Sequence, residues 1–197
     1  GGFEIFGRLY RSLPFDVVKD FSAITQMIRG PHVFVVNPSL NVNTPKEFIA
    51  IALANPGKFN FGSGGVGSAS QLSVELFKVV TRVNVTHIPY KGQADATTAL
   101  LGGQLEMLIT AIPAVLPHIK IGKLRALAVT TDGKREPSIP DVPSMSEAGI
   151  SGLTIYGWQG LVSPARTPKE IVARLHAEAV KAIAVPSVKE QLMAAGG

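Results

Sequence analysis

Cysteine is absent from the 197 residues, so the chain has no disulfide framework, thiolate nucleophile or cysteine-built metal site. That leaves the redox compartment open. Long apolar runs are missing as well. Phe48-Ile49-Ala50-Ile51-Ala52-Leu53-Ala54 is among the longest, far short of the roughly 20 residues that span a bilayer. Histidine is scarce and scattered: His32, His87, His118 and His176 share no H-x-x-x-H spacing, so metal binding is not expected. Glu47, Glu75, Glu106, Asp132 and Glu170 form no evident carboxylate pair. Aromatic residues are only 7% of the chain and charged residues 17%, while 46% are hydrophobic, a composition that buries a core rather than staying disordered.

The formal net charge is +5, with a pI near 9.6. The basic residues are dispersed, with one loose group at Lys120, Lys123, Arg125, Lys134 and Arg135 and few interleaved aromatics. A solvated basic surface is therefore expected rather than a nucleic-acid platform. The chain opens Gly1-Gly2-Phe3-Glu4, without Met or a basic-then-apolar leader, and closes Ala194-Ala195-Gly196-Gly197 directly after a helical pattern. Both ends read as cuts in a longer protein.

Short β-like runs alternate with helical patterns over the middle of the chain. His32 to Asn37 reads as a buried strand. Thr44-Pro45-Lys46-Glu47 starts a helix, with Thr44 as cap, Pro45 in the first turn and Glu47 completing a capping box. Lys58 to Phe61 reads as a strand. A helix follows, whose stripe Leu72, Leu76, Val79 and Val80 is expected to lie on the sheet. Val83–Ile88, Leu105–Thr110 and Leu124–Thr131 are expected strands, 93–101 a helix, and Ala114–Ile121 a short helix interrupted by Pro117. Such β-α alternation predicts parallel strands with helical crossovers. The rhythm fails between Thr131 and Gly152, where prolines and glycines mark an irregular connection. A strand region resumes at Leu153–Ser163, and Thr167-Pro168-Lys169-Glu170 repeats the earlier helix start letter for letter.

The chemistry concentrates in Phe59-Asn60-Phe61-Gly62-Ser63-Gly64-Gly65-Val66-Gly67-Ser68-Ala69-Ser70, between a strand and a helix. Gly62 to Gly67 spells G-x-G-x-x-G, the position for a dinucleotide pyrophosphate. The fingerprint also needs an acid near the end of the next strand, and no acidic residue lies between Glu75 and Asp95. A P-loop would need lysine where Ser68 stands. No serine has the flanking glycines of G-x-S-x-G. The remaining reading is a simpler anion, a carboxylate held by backbone N–H groups at a helix N-terminus, with Ser63 and Ser68 donating at its edges. Glycine density is taken as support for a ligand over a plain turn. Thr110, leaving a strand at its C-terminal end, is a second-tier contact. Trp158 lines a cleft or fills a core, about equally well.

Several stretches occurring together resemble one family. They are Leu13-Pro14-Phe15-Asp16-Val17-Val18-Lys19-Asp20-Phe21, Val35-Val36-Asn37-Pro38-Ser39-Leu40, Ala54-Asn55-Pro56-Gly57-Lys58, Ile88-Pro89-Tyr90-Lys91-Gly92, Leu100-Leu101-Gly102-Gly103-Gln104, Gly122 to Thr130 and Pro140-Asp141-Val142-Pro143, with the glycine loop among them. The ensemble, from Leu13 to Met193, resembles the Bug-type periplasmic receptors of tripartite tricarboxylate transporters. The resemblance implies an α/β fold like type II periplasmic binding proteins: two hinged domains closing on a small organic carboxylate, without catalysis or cofactor. Residues 38–153 would form a complete second domain, and 1–37 with 154–197 an incomplete first. Val33–Asn37 and Ile155–Leu161 would be the hinge strands.

The implied ligand site is Ser63, Gly64, Gly65, Val66, Gly67 and Ser68, with Thr110 and Trp158. The implied partners are a di- or tricarboxylate, acidic amino acid or aromatic acid, and membrane permease subunits. The family's first glycine-rich loop lies upstream of this chain, so the truncated molecule is expected to bind weakly or to compensate as a dimer. The implied location is the periplasm. The alternative from a different class is a nicotinamide-dinucleotide-dependent oxidoreductase using Gly62–Gly67.

Overall fold

A computed structural model describes residues 6–9 and 11–194. The chain ends read above as cuts, Gly1-Gly2-Phe3-Glu4 and Ala195-Gly196-Gly197, lie outside the described residues. Two compact units result, one from 1–30 with 157–197 and the other from 31–156.

The first unit carries α1 (Phe6–Leu9), most of the 16-residue strand β1 (Phe21–Val36), β6 (Tyr156–Pro164), α6 (Lys169–Ala184) and α7 (Pro186–Ala194). β6 pairs with β1. The second unit receives the end of β1 and adds α2 (Pro45–Ala54), β2 (Asn60–Ser63), α3 (Ala69–Thr81), β3 (Thr86–Pro89), α4 (Gln93–Leu101), β4 (Met107–Ala111), α5 (Leu116–Lys120) and β5 (Arg125–Val129). The strand order is β3-β2-β4-β1-β5.

The expectation of parallel strands with crossovers is met by β2, β3 and β4 but fails at β1. That strand runs antiparallel to β4, with His32 opposite Ala111 and Val36 opposite Met107, and antiparallel to β5 on its other side. β2 is parallel to both β3 and β4. The physical reason is that β1 enters as one long strand from the first unit and not through a helical crossover, so its direction is free of the βαβ handedness constraint. β2, β3, β4 and β5 consequently all end at one sheet edge, and the loops following them gather there.

Alternation along β1 sends Phe34 and Val36 to one face and Val33 and Val35 to the other, both fully buried. The Phe34 face packs against α2 and α3 through an aromatic cluster. Phe34 meets Phe48 at 5.2 Å and Phe77 at 5.1 Å between ring centroids, both edge-on. The Val33 face packs against Ala96 and Leu100 of α4 and against Val115, Leu116 and Ile119 around α5.

The face assigned to α3 is corrected. Leu72, Leu76, Val79 and Val80 are exposed, Val79 to 76%, and the buried face is Ser70, Ser73, Val74 and Phe77. The short serines let the helix approach the sheet closely near its start, and Phe77 fills the wider gap further along. Other boundaries move for local reasons. Pro117 stands in the first turn of α5 and does not interrupt it, because its missing N–H is an orphan there. The expected strand from Val83 begins only at Thr86, although Val83 and Val85 are buried in the core. The two Thr-Pro-Lys-Glu copies also differ. Thr44 Oγ1 accepts the Glu47 N–H at 3.2 Å, whereas Pro168 occupies the cap position of α6 and no side chain bonds there. The Glu47 carboxylate reaches Asn43 N–H at 2.7 Å, one residue before the cap.

Candidate functional site

β2 delivers Ser63 as its last residue, fully buried, and Ser68 caps α3 five residues later by accepting the Gln71 N–H at 3.3 Å. Each glycine from Gly62 to Gly67 has a reason in the fold. Gly62 lies in the strand, where a Cβ would stand 2.5 Å from Leu105 Cδ1 and 3.2 Å from Ala96 Cβ beneath α4. A Cβ on Gly64 would lie 3.3 Å from the backbone nitrogen of Gln93, the first residue of α4. Gly65 and Gly67 hold φ of +114° and +80°, which side-chain-bearing residues avoid. Glycine density is thus accounted for by turning and close packing, and the case for a ligand has to rest elsewhere.

It rests on the backbone donors and the helix start. Gly64 N–H donates to Ser70 Oγ at 3.1 Å, Gly65 N–H to Ser63 Oγ at 3.1 Å, Gly67 N–H to Gln71 Oε1 at 2.7 Å, and Ser68 N–H to Gly65 O at 3.2 Å. The N–H groups of Val66, Ala69 and Ser70 have no partner among the described residues. These are the orphan donors of a 13-residue helix and the loop leading into it. α2, α4 and α6 each place an acid in the first turn (Glu47, Asp95 and Glu170), whereas α3, like α1, α5 and α7, has none. The positive end of α3 is therefore not neutralised from within, which favours an external anion. α4 begins beside it. Tyr90 N–H bonds Ser63 O at 3.1 Å, and the buried Gln93 Nε2, whose side chain lies against Gly64, has no partner among the described residues.

Two histidines underlie this edge. His87, half-buried on β3, stacks on Phe61 at 4.7 Å and bonds Ser63 Oγ through Nε2 at 2.6 Å and Gln71 through Nδ1 at 3.3 Å. Burial holds its pKa below the ordinary value, aided by Lys78 and opposed by Glu75. His32 lies under α3, with Nδ1 2.9 Å from Ser73 Oγ, and burial lowers its pKa to about 4. Since the Ser73 hydroxyl donates to Ala69 O at 2.8 Å, it accepts from His32, whose ring proton is on Nδ1.

The remaining sequence candidates fall in different places. Ser63 to Ser68 form one connected loop, with Val66 55% exposed at its tip. Thr110 is buried in β4 opposite Val33, on the α4 side of the sheet by alternation from Leu108, whereas Ser63 bonds groups on the α3 side; no hydrogen bond joins Thr110 to the loop among the described residues. Trp158 belongs to the first unit, where it is 39% exposed and lines a cavity of about 320 Å³ with residues of β1 and β6, so the core role is not what it has. The residues missed are Ser70, Gln71, His87 as a loop partner, and Gln93. One signal was available. Ser68-Ala69-Ser70-Gln71 spells S-x-x-Q, a capping-box spacing that commits both residues to the helix entrance. The dinucleotide reading loses its first glycine, because Gly62 lies inside the strand, packed against Leu105 and Ala96, and not in the tight turn that the fingerprint requires of it.

The family model described as the tripartite tricarboxylate transporter family receptor matches residues 3–197. The chain belongs to this receptor family. A Rhodopseudomonas palustris protein solved with adipate is 34% identical, with a TM-score of 0.87 over 95% of this chain and 62% of that one. MatC from Rhodopseudomonas palustris, solved with bound malate, is 28% identical, with a TM-score of 0.90 over 98% of this chain and 66% of that one. Protein BugT of Bordetella pertussis is 34% identical over 188 residues, 95% of this chain and 57% of BugT. The mixed α/β fold is that of the family's periplasmic binding proteins, and this receptor chain spans between about half and two thirds of these relatives' length.

Proposed function

We propose that residues 63–70 of this receptor hold a carboxylate of a small organic acid at the N-terminus of α3, as the second-domain half of an extracytoplasmic solute-binding protein. The observation that carries this reading is the helix start itself: partnerless N–H groups on Val66, Ala69 and Ser70, with no acid in the first turn. Charge-assisted bonds to such donors contribute about 1.5–3 kcal/mol each. Two or three of them suffice for recognition without a dedicated cation. Adipate and malate in the related structures support the ligand class, a compact dicarboxylate. On this reading the first unit is part of an incomplete partner domain, and Thr110 supports the edge from within the sheet. The loaded receptor closes by hinge motion and hands its ligand to a membrane permease in the periplasm.

Calorimetric titration with malate, adipate, citrate, aspartate and benzoate tests the reading. Binding by at least one of these acids, abolished by Gly65→Leu, is the expected result. No binding across the panel, or affinity undiminished in Gly65→Leu, removes the loop from the site.

A further inference from the structure

The hydrogen-bond partners of Gln71 fix a proton arrangement across four residues. Gly67 N–H can only donate, so the Gln71 side-chain oxygen, 2.7 Å away, faces it. The amide nitrogen of the same side chain then points at His87 Nδ1, at 3.3 Å. An NH2 group only donates, so Nδ1 accepts and the imidazole proton sits on Nε2. Nε2–H donates to Ser63 Oγ at 2.6 Å, while the Ser63 proton goes to the Gly65 carbonyl at 3.1 Å and its lone pair takes Gly65 N–H. The chain runs in one direction, from Gln71 through His87 and Ser63 to Gly65. His87 donates a hydrogen bond to Ser63 and accepts none from it, so the imidazole is not placed to take the hydroxyl proton as a base would.

A second proton on His87 reverses one link. Nδ1–H then meets the Gln71 NH2, donor against donor. Turning the Gln71 amide over lets its oxygen accept from Nδ1–H and moves the opposed donors to the other end, where the Gly67 N–H loses its acceptor and faces the Gln71 NH2, a pair that an anion oxygen can satisfy. We propose that His87 is a positioning residue that decides, through Gln71, whether the Gly67 N–H is retained inside the protein or offered to a carboxylate at the start of α3. The inference rests on the carboxylate reading of the loop. The charged groups acting on His87 are Glu75 and Lys78, both on α3 and paired at 2.9 Å; β2 presents only Phe61 and Ser63 to it. Proton uptake therefore frees a donor and places a positive charge behind the loop, and both effects tighten the hold on an anion. By linkage, a bound carboxylate raises the His87 pKa by the same factor.

Nitrogen-15 NMR of the imidazole and of the Gly67 amide reads the relay without any ligand. The expected result is an Nε2–H tautomer at pH 8 and a Gly67 amide resonance that shifts with the His87 midpoint on acidification but not in His87→Gln. An Nδ1–H tautomer, or a Gly67 amide indifferent to His87, overturns the relay. Calorimetry with malate and adipate at pH 8 and pH 5 reads its consequence, with His87→Gln subtracting the titration of the ligands themselves. A shift of about half a pKa unit in the complex corresponds to roughly a threefold gain for the wild type over the variant. An equal pH dependence in both proteins overturns the coupling to the site. Absence of malate and adipate binding sinks the carboxylate reading, while the NMR result still decides the relay.

Discussion

The backbone nitrogen of Gln93 lies 3.3 Å from where a Cβ on Gly64 would stand, so the loop after β2 and the first residue of α4 touch through the space of one missing methyl. Gly64 has no positive φ, and the only objection to alanine there is this contact. Gly64→Ala should therefore fold, push α4 and the loop apart by a few tenths of an ångström, and misplace the Val66, Ala69 and Ser70 donors. Affinity for a bound carboxylate should fall about tenfold or more, since one weakened charged hydrogen bond is worth that much. Calorimetry alongside a melting curve separates lost binding from lost fold.

Gly65 offers the opposite case. Its φ of +114° penalises any side chain, and a Cβ would stand in ordinary contact, 3.4 Å from Tyr90 O. Gly65→Ala should cost about 1–3 kcal/mol of conformational strain wherever the loop keeps its shape. Hydrogen exchange at Ser63, Gly65 and Ser68 would show the local loosening. Unchanged protection there would mean that the turn has another conformation open to it.

The legibility of this fold follows the range of the forces involved. The helix expected over 93–101 is observed at Gln93–Leu101, because the two glycines that follow stop it by local backbone chemistry. The direction of β1 was not legible, since strand pairing is decided by partners some 70 to 100 residues away. The α3 face was misread because both Leu72-Leu76-Val79-Val80 and Ser70-Ser73-Val74-Phe77 have helical spacing. Hydrophobicity prefers the first, but close approach to the sheet selects the second. At the loop, the glycines were visible and their purpose was not. Their packing partners, Leu105, Ala96 and Gln93, lie about 30 to 40 residues downstream.

Identical tetrapeptides should respond differently to the same substitution. Thr44 Oγ1 bonds the Glu47 N–H, so Thr44→Ala should lower stability by about 1 kcal/mol. Thr167 precedes a helix capped at Pro168 without a side-chain bond, and Thr167→Ala should stay within about 0.5 kcal/mol of wild type. Urea denaturation of the two variants makes the comparison. Equal losses would show that the second copy caps α6 in solution.

His32 makes the stability of the second unit depend on pH. Its folded pKa, lowered to about 4 by burial beneath α3, lies below the ordinary value of 6.5, so the native state resists a proton that the unfolded chain accepts. Between those two values the unfolded state binds more protons, and unfolding free energy therefore rises with pH. The contribution is complete above pH 6.5 and is lost as pH falls toward 4. A gap of this size corresponds to about 3 kcal/mol. The Nδ1–H bond to Ser73 adds to the cost, because any outward movement of the ring to reach water breaks it. Urea midpoints for the wild type should fall steeply between pH 6.5 and 4.5. His32→Gln keeps a donor for Ser73 Oγ without a titrating group, so its midpoint should be lower at pH 7 and flatter through that window. A variant as steep as the wild type would assign the acid sensitivity to other groups.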